Sequence, residues 1–352
     1  MGERPRTAAP PAGDVRGGYD PAARARRGAL PRRTYAALDL GTNNCRLLIA
    51  RPHGDSFIVV DAFSRIVRLG EGLAATGRLS EAAMDRAVAA LAICADKLRR
   101  RHVTLVRSVA TEACRRADNG RAFVDRVAEE TGLKLDIISA EQEARLAVSG
   151  CHALLEPGDG KALVFDIGGG STELVLLDGL DGDMPGVEDW YSAPWGVVSL
   201  SESEPHLGGN EAELRAAYDR MRARVAQAFA PFTERLKVKG LTDARLLGTS
   251  GTVTTLASLH LELPSYDRRK VDGLIVPASA MRVVSQRLAG MNVAERAELA
   301  CIGQERADLV VAGCAILETI LDLWPAHRLS VADRGIREGI LRTLMAADQR
   351  QS

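Results

Sequence analysis

"VFDIGGGSTELVLL", residues 164–177, sets three consecutive glycines between two apolar runs. Glycine-rich turns that cradle phosphates usually lead from a strand into a helix. Here the residues after the turn, Thr172 to Leu177, read as a second strand, so the glycines close a hairpin. A two-residue hairpin turn needs one or two glycines and no preceding carboxylate. Three in a row free successive backbone N–H groups to form an anion-binding nest. Ser171 and Thr172 add hydroxyl donors, and Asp166 ends the first strand. A carboxylate beside a bound phosphate is where Mg²⁺ is ordinarily held.

The pattern occurs twice. "YAALDL", "GTNN" and "CRLLIA" (35–50) repeat the strand, tight turn and strand 127 positions earlier, with Asp39 and Gly41 in the places of Asp166 and Gly168. "TLVRSVATEACRRA" (104–117) and "ARLLGTSGTVTTLASL" (244–259) each run from a strand through a polar turn into a helix. Two hairpins, each followed by a strand–turn–helix unit, predict a duplicated α/β architecture with facing domains. The turn 248–252 reads as a helix N-terminus, capped by Thr252 or open to an anion.

Between these units, residues 80–101 place Met84, Val88, Leu91, Ala95 and Leu98 on one helical face. Residues 210–229 behave likewise, and 306–324 are apolar nearly all round, which predicts a buried helix. "KLDIISA" (134–140) reads as a strand leading directly into a helix, with a hinge near 139–145.

Bulk properties exclude several classes. The 352 residues suit about two domains. Zero formal net charge gives no global field to recruit nucleic acid or an anionic membrane. No run approaches the ~18 apolar residues of a membrane span. Six scattered cysteines without a CxxC pair fit a reducing cytoplasm rather than a disulfide or zinc framework, and six histidines form no metal motif. Residues 1–33 differ from the rest: eight arginines against three acids among Ala, Gly and Pro read as a disordered basic arm, leaving a body of 38 basic and 43 acidic residues.

Six segments now stand in order: "YAALDLGTNNCRLLIA", "VATEACRRADN", "IISAEQEARLAVSG", "VFDIGGGSTELVLL", "LLGTSGTVTTLA" and "VADRGIREGIL". From about Tyr35 to Leu344 this sequence resembles the exopolyphosphatase/guanosine pentaphosphate phosphatase (Ppx/GppA) family, in its short two-domain form. The resemblance implies an α/β, actin-like ATPase (ASKHA) fold, with two ribonuclease-H-like domains facing a central cleft. Domain I would span 34–142, completed by a C-terminal helix over 335–347, and domain II would span 143–334. The match to the family's GxEEAR-like segment makes Glu143 the catalytic base, and Arg115 matches an arginine facing the reacting phosphates. A carboxylate that deprotonates water for in-line attack is what phosphoanhydride hydrolysis requires. Without the resemblance, Glu141 and Glu143 read as acids favourably placed near a helix N-terminus.

The sequence departs from the family pattern at Ala140, Glu141 and Gln142, which replaces the first Glu of the pair, and at Asn44, where a hydroxyl is usual. Glu141 is a candidate to compensate for Gln142. The expectation is an Mg²⁺-dependent exopolyphosphatase, with Thr42, Asn43, Gly168, Gly169, Gly170 and Ser171 holding the terminal phosphate. Asp166, with Asp39 or Glu173, would hold the metal. Guanosine pentaphosphate is an alternative substrate. A kinase of the same fold and a non-catalytic polyphosphate or alarmone sensor are the rivals. The resemblance and the buried-looking helices make a homodimer an expectation too. Glu338 reads as structural.

Overall fold

A computed structural model describes residues 33–351 apart from 55, 159, 179–185 and 240–244. The basic arm read at 1–33 therefore lies almost wholly outside the described residues. The first sheet holds β1 (Tyr35–Leu40), β2 (Asn44–His53), β3 (Ser56–Ile66), β4 (Leu105–Ala110) and β5 (Asp136–Ile137), in the order β3-β2-β1-β4-β5. The second holds β6 (Ala162–Ile167), β7 (Thr172–Asp178), β8 (Gly186–Ala193), β9 (Arg245–Thr249), β10 (Ile275–Pro277) and β11 (Arg328–Ala332), in the order β10-β11-β9-β6-β7-β8.

The duplication is visible in the pairing. β1 and β6 each join an antiparallel meander on one side (β2 and β3; β7 and β8) and a parallel strand on the other (β4; β9). Strands β3 and β8 carry no clean alternation of buried and exposed residues. "KLDIISA" pairs over only two residues, Asp136 and Ile137, because the chain turns at once into a helix.

Helix α1 (Glu81–Arg100) starts at Ser80, whose side chain accepts from the Ala83 N–H, and buries the five apolar positions expected of it. A short helix, α2 (Glu112–Arg116), follows β4. Helix α3 (Ala140–Cys151) carries a capping box: Ser139 Oγ accepts from the Gln142 N–H, and Gln142 Oε1 accepts from the Ser139 N–H. Gln142 is thus spent on starting the helix. Glu141 pairs with Arg145 at the surface and does not compensate for it in the cleft. Helix α4 (Glu211–Val238) continues well past the expected 229, through Pro231. Helix α5 (Gly251–His260) is capped by Ser250, which accepts from the Val253 N–H; Thr252, the alternative from sequence, is buried one residue inside. Helix α6 (Val310–Leu323) is buried along most of its length, as its composition requires. Helix α7 (Ile336–Gln351) ends the chain.

Helices α4, α5 and α6 cover one face of the second sheet with a large apolar core. On its other face, Ala144, Val148 and Cys151 of α3 meet Val164, Val175 and Leu247. The first sheet buries one face under α1. On the opposite face Tyr35, Ala37, Leu48 and Val109 meet Leu146 of α3 and Ile340, Leu341 and Met345 of α7. Helix α3 is therefore clamped between both sheets, and α7 lies back on the first. Among the described residues no helix is long and apolar enough to cross a membrane.

Candidate active site

Both hairpins end alike. The Gly41 N–H donates to the Asn44 carbonyl and the Gly168 N–H to the Ser171 carbonyl, each at 2.9 Å. The tips are Thr42–Asn43 and Gly169–Gly170. Among the described residues no backbone carbonyl accepts from the N–H groups of these four, so they remain available to an anion.

None of the three glycines has a positive φ, so the turn does not need them for a left-handed backbone. It needs them for closeness. A Cβ on Gly169 would stand 2.9 Å from Thr42 Cβ and 3.0 Å from Asn43 N. One on Gly170 would stand 2.8 Å from Thr42 Oγ1 and 3.0 Å from Glu112 Cγ. Any side chain there would hold the two hairpins apart.

Between the tips lies a cavity of about 130 Å³. It is lined by Asp39, Thr42, Asn43, Glu143, Asp166, Gly168, Gly169, Gly170, Ser171 and Glu173, every residue given a catalytic, phosphate or metal role from sequence except Arg115. Glu143 stands in the first turn of α3 and is 7% exposed. Burial, and next the Glu173 carboxylate, push it well above the ordinary carboxylate range, with Arg115 opposing.

Arg115 stands behind Glu143. Its Nη1 donates to Glu143 Oε2 at 3.0 Å and to the Ile138 carbonyl at 2.8 Å. Its Nη2 and Nε donate to Glu112 Oε2 at 2.6 and 3.1 Å. Here the guanidinium is engaged by two carboxylates and one carbonyl. Burial disfavours the cation, but Glu143 and Glu112 together hold it more firmly protonated.

The three candidate metal ligands divide. Among the described residues no group of three Asp, Glu, His or Cys is arranged to hold an ion. Glu173 Oε1 accepts from Ser171 Oγ at 2.7 Å and Ser192 Oγ at 2.9 Å, which ties it to the second hairpin. Burial still raises it, the two hydroxyls opposing. Asp39 and Asp166 are different. Asp39 Oδ1 is buried without a partner. Burial pushes Asp166 up to about 8, Glu173 adding to the shift and Arg46 opposing it. Two costly carboxylates at equivalent strand ends suit Mg²⁺, which binds one or two carboxylates and takes its other ligands from phosphate and water.

Further residues line the cavity beside this set. Arg46, which stands opposite Asp39 in the β1–β2 register, approaches the start of α5, where its Nη2 would lie 3.9 Å from a Cβ on Gly251. Arg306, read from sequence as the start of the buried helix, lies in an irregular segment ahead of α6, which begins at Val310. Ser250, Gly251 and Thr252 bring the N-terminus of α5 to the cavity. Glu112, an acid in the first turn of α2, also lines the cavity. Glu338 is structural as read: it accepts from the Gly335 N–H and from Arg268, off the cavity lining.

The chain is similar to known proteins over most of its length. Residues 48–347 match the Ppx/GppA phosphatase family. Exopolyphosphatase 2 of Mycobacterium tuberculosis is 34% identical over 324 residues, covering 88% of this chain and 98% of that protein. The crystal structure of the Aquifex aeolicus Ppx/GppA family member has a TM-score of 0.71 at 28% identity, over 90% of this chain and 98% of that one. An exopolyphosphatase from Cytophaga hutchinsonii has a TM-score of 0.79 over 90% and 98% at 24% identity, which speaks for the fold alone. The duplicated two-sheet arrangement and the extent of these matches lead to one conclusion: the chain belongs to the Ppx/GppA phosphatase family.

Proposed function

We propose that this protein is an Mg²⁺-dependent exopolyphosphatase that releases orthophosphate from the ends of inorganic polyphosphate. The observation that carries the reading is Glu143. It is a buried carboxylate of raised basicity, facing a small cavity whose opposite walls are two hairpin tips with unspent N–H groups. The terminal phosphate binds between Thr42–Asn43 and Gly169–Gly170, with the hydroxyl of Ser171 beside it. Glu143 takes the proton from a water aimed at the phosphorus, and the remaining chain leaves as the displaced phosphate. No covalent intermediate is required.

Asp39 and Asp166 would hold Mg²⁺, which when bound neutralises charge on the phosphate oxygens. Arg115 holds Glu143 and opposes further rise of its basicity. Glu173, anchored by two serines, keeps a second carboxylate close to Glu143. A cavity of about 130 Å³ is small beside the roughly 300–1,000 Å³ of pockets that enclose a whole drug-sized ligand. That supports recognition of a chain end with the remainder outside. Guanosine pentaphosphate offers a similar end and is the second substrate to try.

The test is phosphate release from long-chain polyphosphate with and without Mg²⁺, for wild type and Glu143→Gln. A positioned base contributes about 10²–10⁴-fold, so the variant is expected to lose activity on that scale. Metal-dependent release that survives the substitution intact removes Glu143 from the chemistry. Tight polyphosphate binding without any release by the wild type favours the sensor.

A further inference from the structure

Glu112 is the one carboxylate in the cavity wall to which the reaction above gives no role. It opens α2, and the segment ahead of it is fixed, because the Thr111 N–H donates to the carbonyl of Leu40 at 3.1 Å, next to the first hairpin turn. The Glu112 stem lies against the second hairpin, since its Cγ would be 3.0 Å from a Cβ on Gly170. Its carboxylate receives the Nε and Nη2 edge of Arg115, while the remaining Nη1 serves Ile138 and Glu143. The three side chains are 18%, 22% and 9% exposed for Glu112, Arg115 and Glu143, so the chain of ion pairs is largely withdrawn from water.

A guanidinium is planar and rigid, so fixing one edge fixes the direction of the other. Without Glu112, the Arg115 side chain is restrained only through Nη1 and can turn toward the anions in the cleft. We propose that Glu112 is a positioning residue for the phosphatase reaction: it holds Arg115 by one edge so that the other edge keeps Glu143 aimed at the cavity. This rests on Glu143 being the base.

The experiment is a double-mutant cycle on polyphosphate turnover with Glu112→Ala, Arg115→Ala and the pair, each checked by thermal melting, with Glu112→Gln as the conservative variant. Misplacing a catalytic group by an ångström costs up to about 10²-fold, so Glu112→Ala is expected to lower kcat roughly 10- to 100-fold with KM nearly unchanged. Glu112→Gln, which keeps an acceptor oxygen for Arg115, is expected to restore most of kcat. In the Arg115→Ala background Glu112→Ala is expected to change nothing further.

An undiminished loss in that background overturns the proposal, because Glu112 then acts independently of Arg115. A fall in KM with kcat unchanged overturns it too, because Glu112 then competes with substrate for Arg115. Full activity of Glu112→Ala does the same. If Glu112→Ala does not fold, Glu112→Asp, one methylene shorter, takes its place with the same expectations. A wild type that releases no phosphate defeats the phosphatase reading and this proposal together, a result distinct from the others.

Discussion

Gly339, the glycine of "REGIL", lies where α7 crosses α3. A Cβ on it would fall 2.9 Å from the carbonyl carbon of Leu146 and 3.2 Å from its Cα, and closer still to the carbonyl oxygen. Gly150 on α3 makes the reciprocal approach to the backbone of Gly335. Carbon atoms prefer about 3.5–4.0 Å, so Gly339→Ala must push the helices apart by roughly 0.6 Å or more. Neither side is a flexible side chain that can swing away. Overpacking of this kind costs about 1–3 kcal/mol. Alanine gains about 0.8–1.0 kcal/mol over glycine inside a helix. The expected net is a loss of up to about 2 kcal/mol, or a Tm lower by up to about 3 °C for a chain of this size.

The displaced helix is the one that carries Glu143, one turn before Leu146. A fall in kcat of roughly tenfold or more should accompany the lost stability. Denaturant unfolding and polyphosphate turnover of the same preparation give both numbers. The two physical effects have opposite signs, which makes the outcome decisive. A variant more stable than wild type and fully active would mean that helix propensity governs the position, and would refute the tight crossing.

Two further outcomes follow from the ion pairs. Burial alone would raise Glu338, but Arg337, the Gly335 N–H and Arg268 together hold it below the ordinary carboxylate value. As pH falls, the unfolded chain takes up that proton first, so the stability Glu338 contributes is full above about pH 4.3 and is lost as pH falls through its lower folded value. Glu338→Gln should therefore destabilise by roughly 1–3 kcal/mol at pH 7 and by progressively less below pH 4; an equal loss at both, by denaturant titration, would argue against a charged role. Arg68 reaches from the first lobe to Asp308 at 2.8 and 3.1 Å and to the Glu305 carbonyl, while its backbone N–H holds the Asn43 carbonyl. Both partners are partly exposed, so Arg68→Ala should leave stability within about 1 kcal/mol yet shift the lobes several-fold toward opening. Small-angle scattering of the substrate-free protein should show a larger radius of gyration, and an unchanged profile would remove the latch.

Much of this protein is written locally. Each hairpin needs only two apolar runs and a turn, and the helices at 81–100 and 310–323 follow from apolar spacing and composition. Asp39, Asp166 and the hairpin residues stood out as candidates because they sit in short, recognisable turns, whereas Glu143 stood out only through the family resemblance. Tertiary structure alone decided the rest, because it depends on what stands opposite. Three glycines look like a device for freeing N–H groups. Only the facing Thr42 and Glu112 show that they let the two hairpins touch. Gln142 looked like a missing acid until Ser139 turned it into a helix cap. Only the fold shows that two carboxylates, 3 positions before Arg115 and 28 after it, take both edges of its guanidinium. A charged side chain announces its charge in the sequence, but its partner, and with it its role, is settled by the fold that desolvates it.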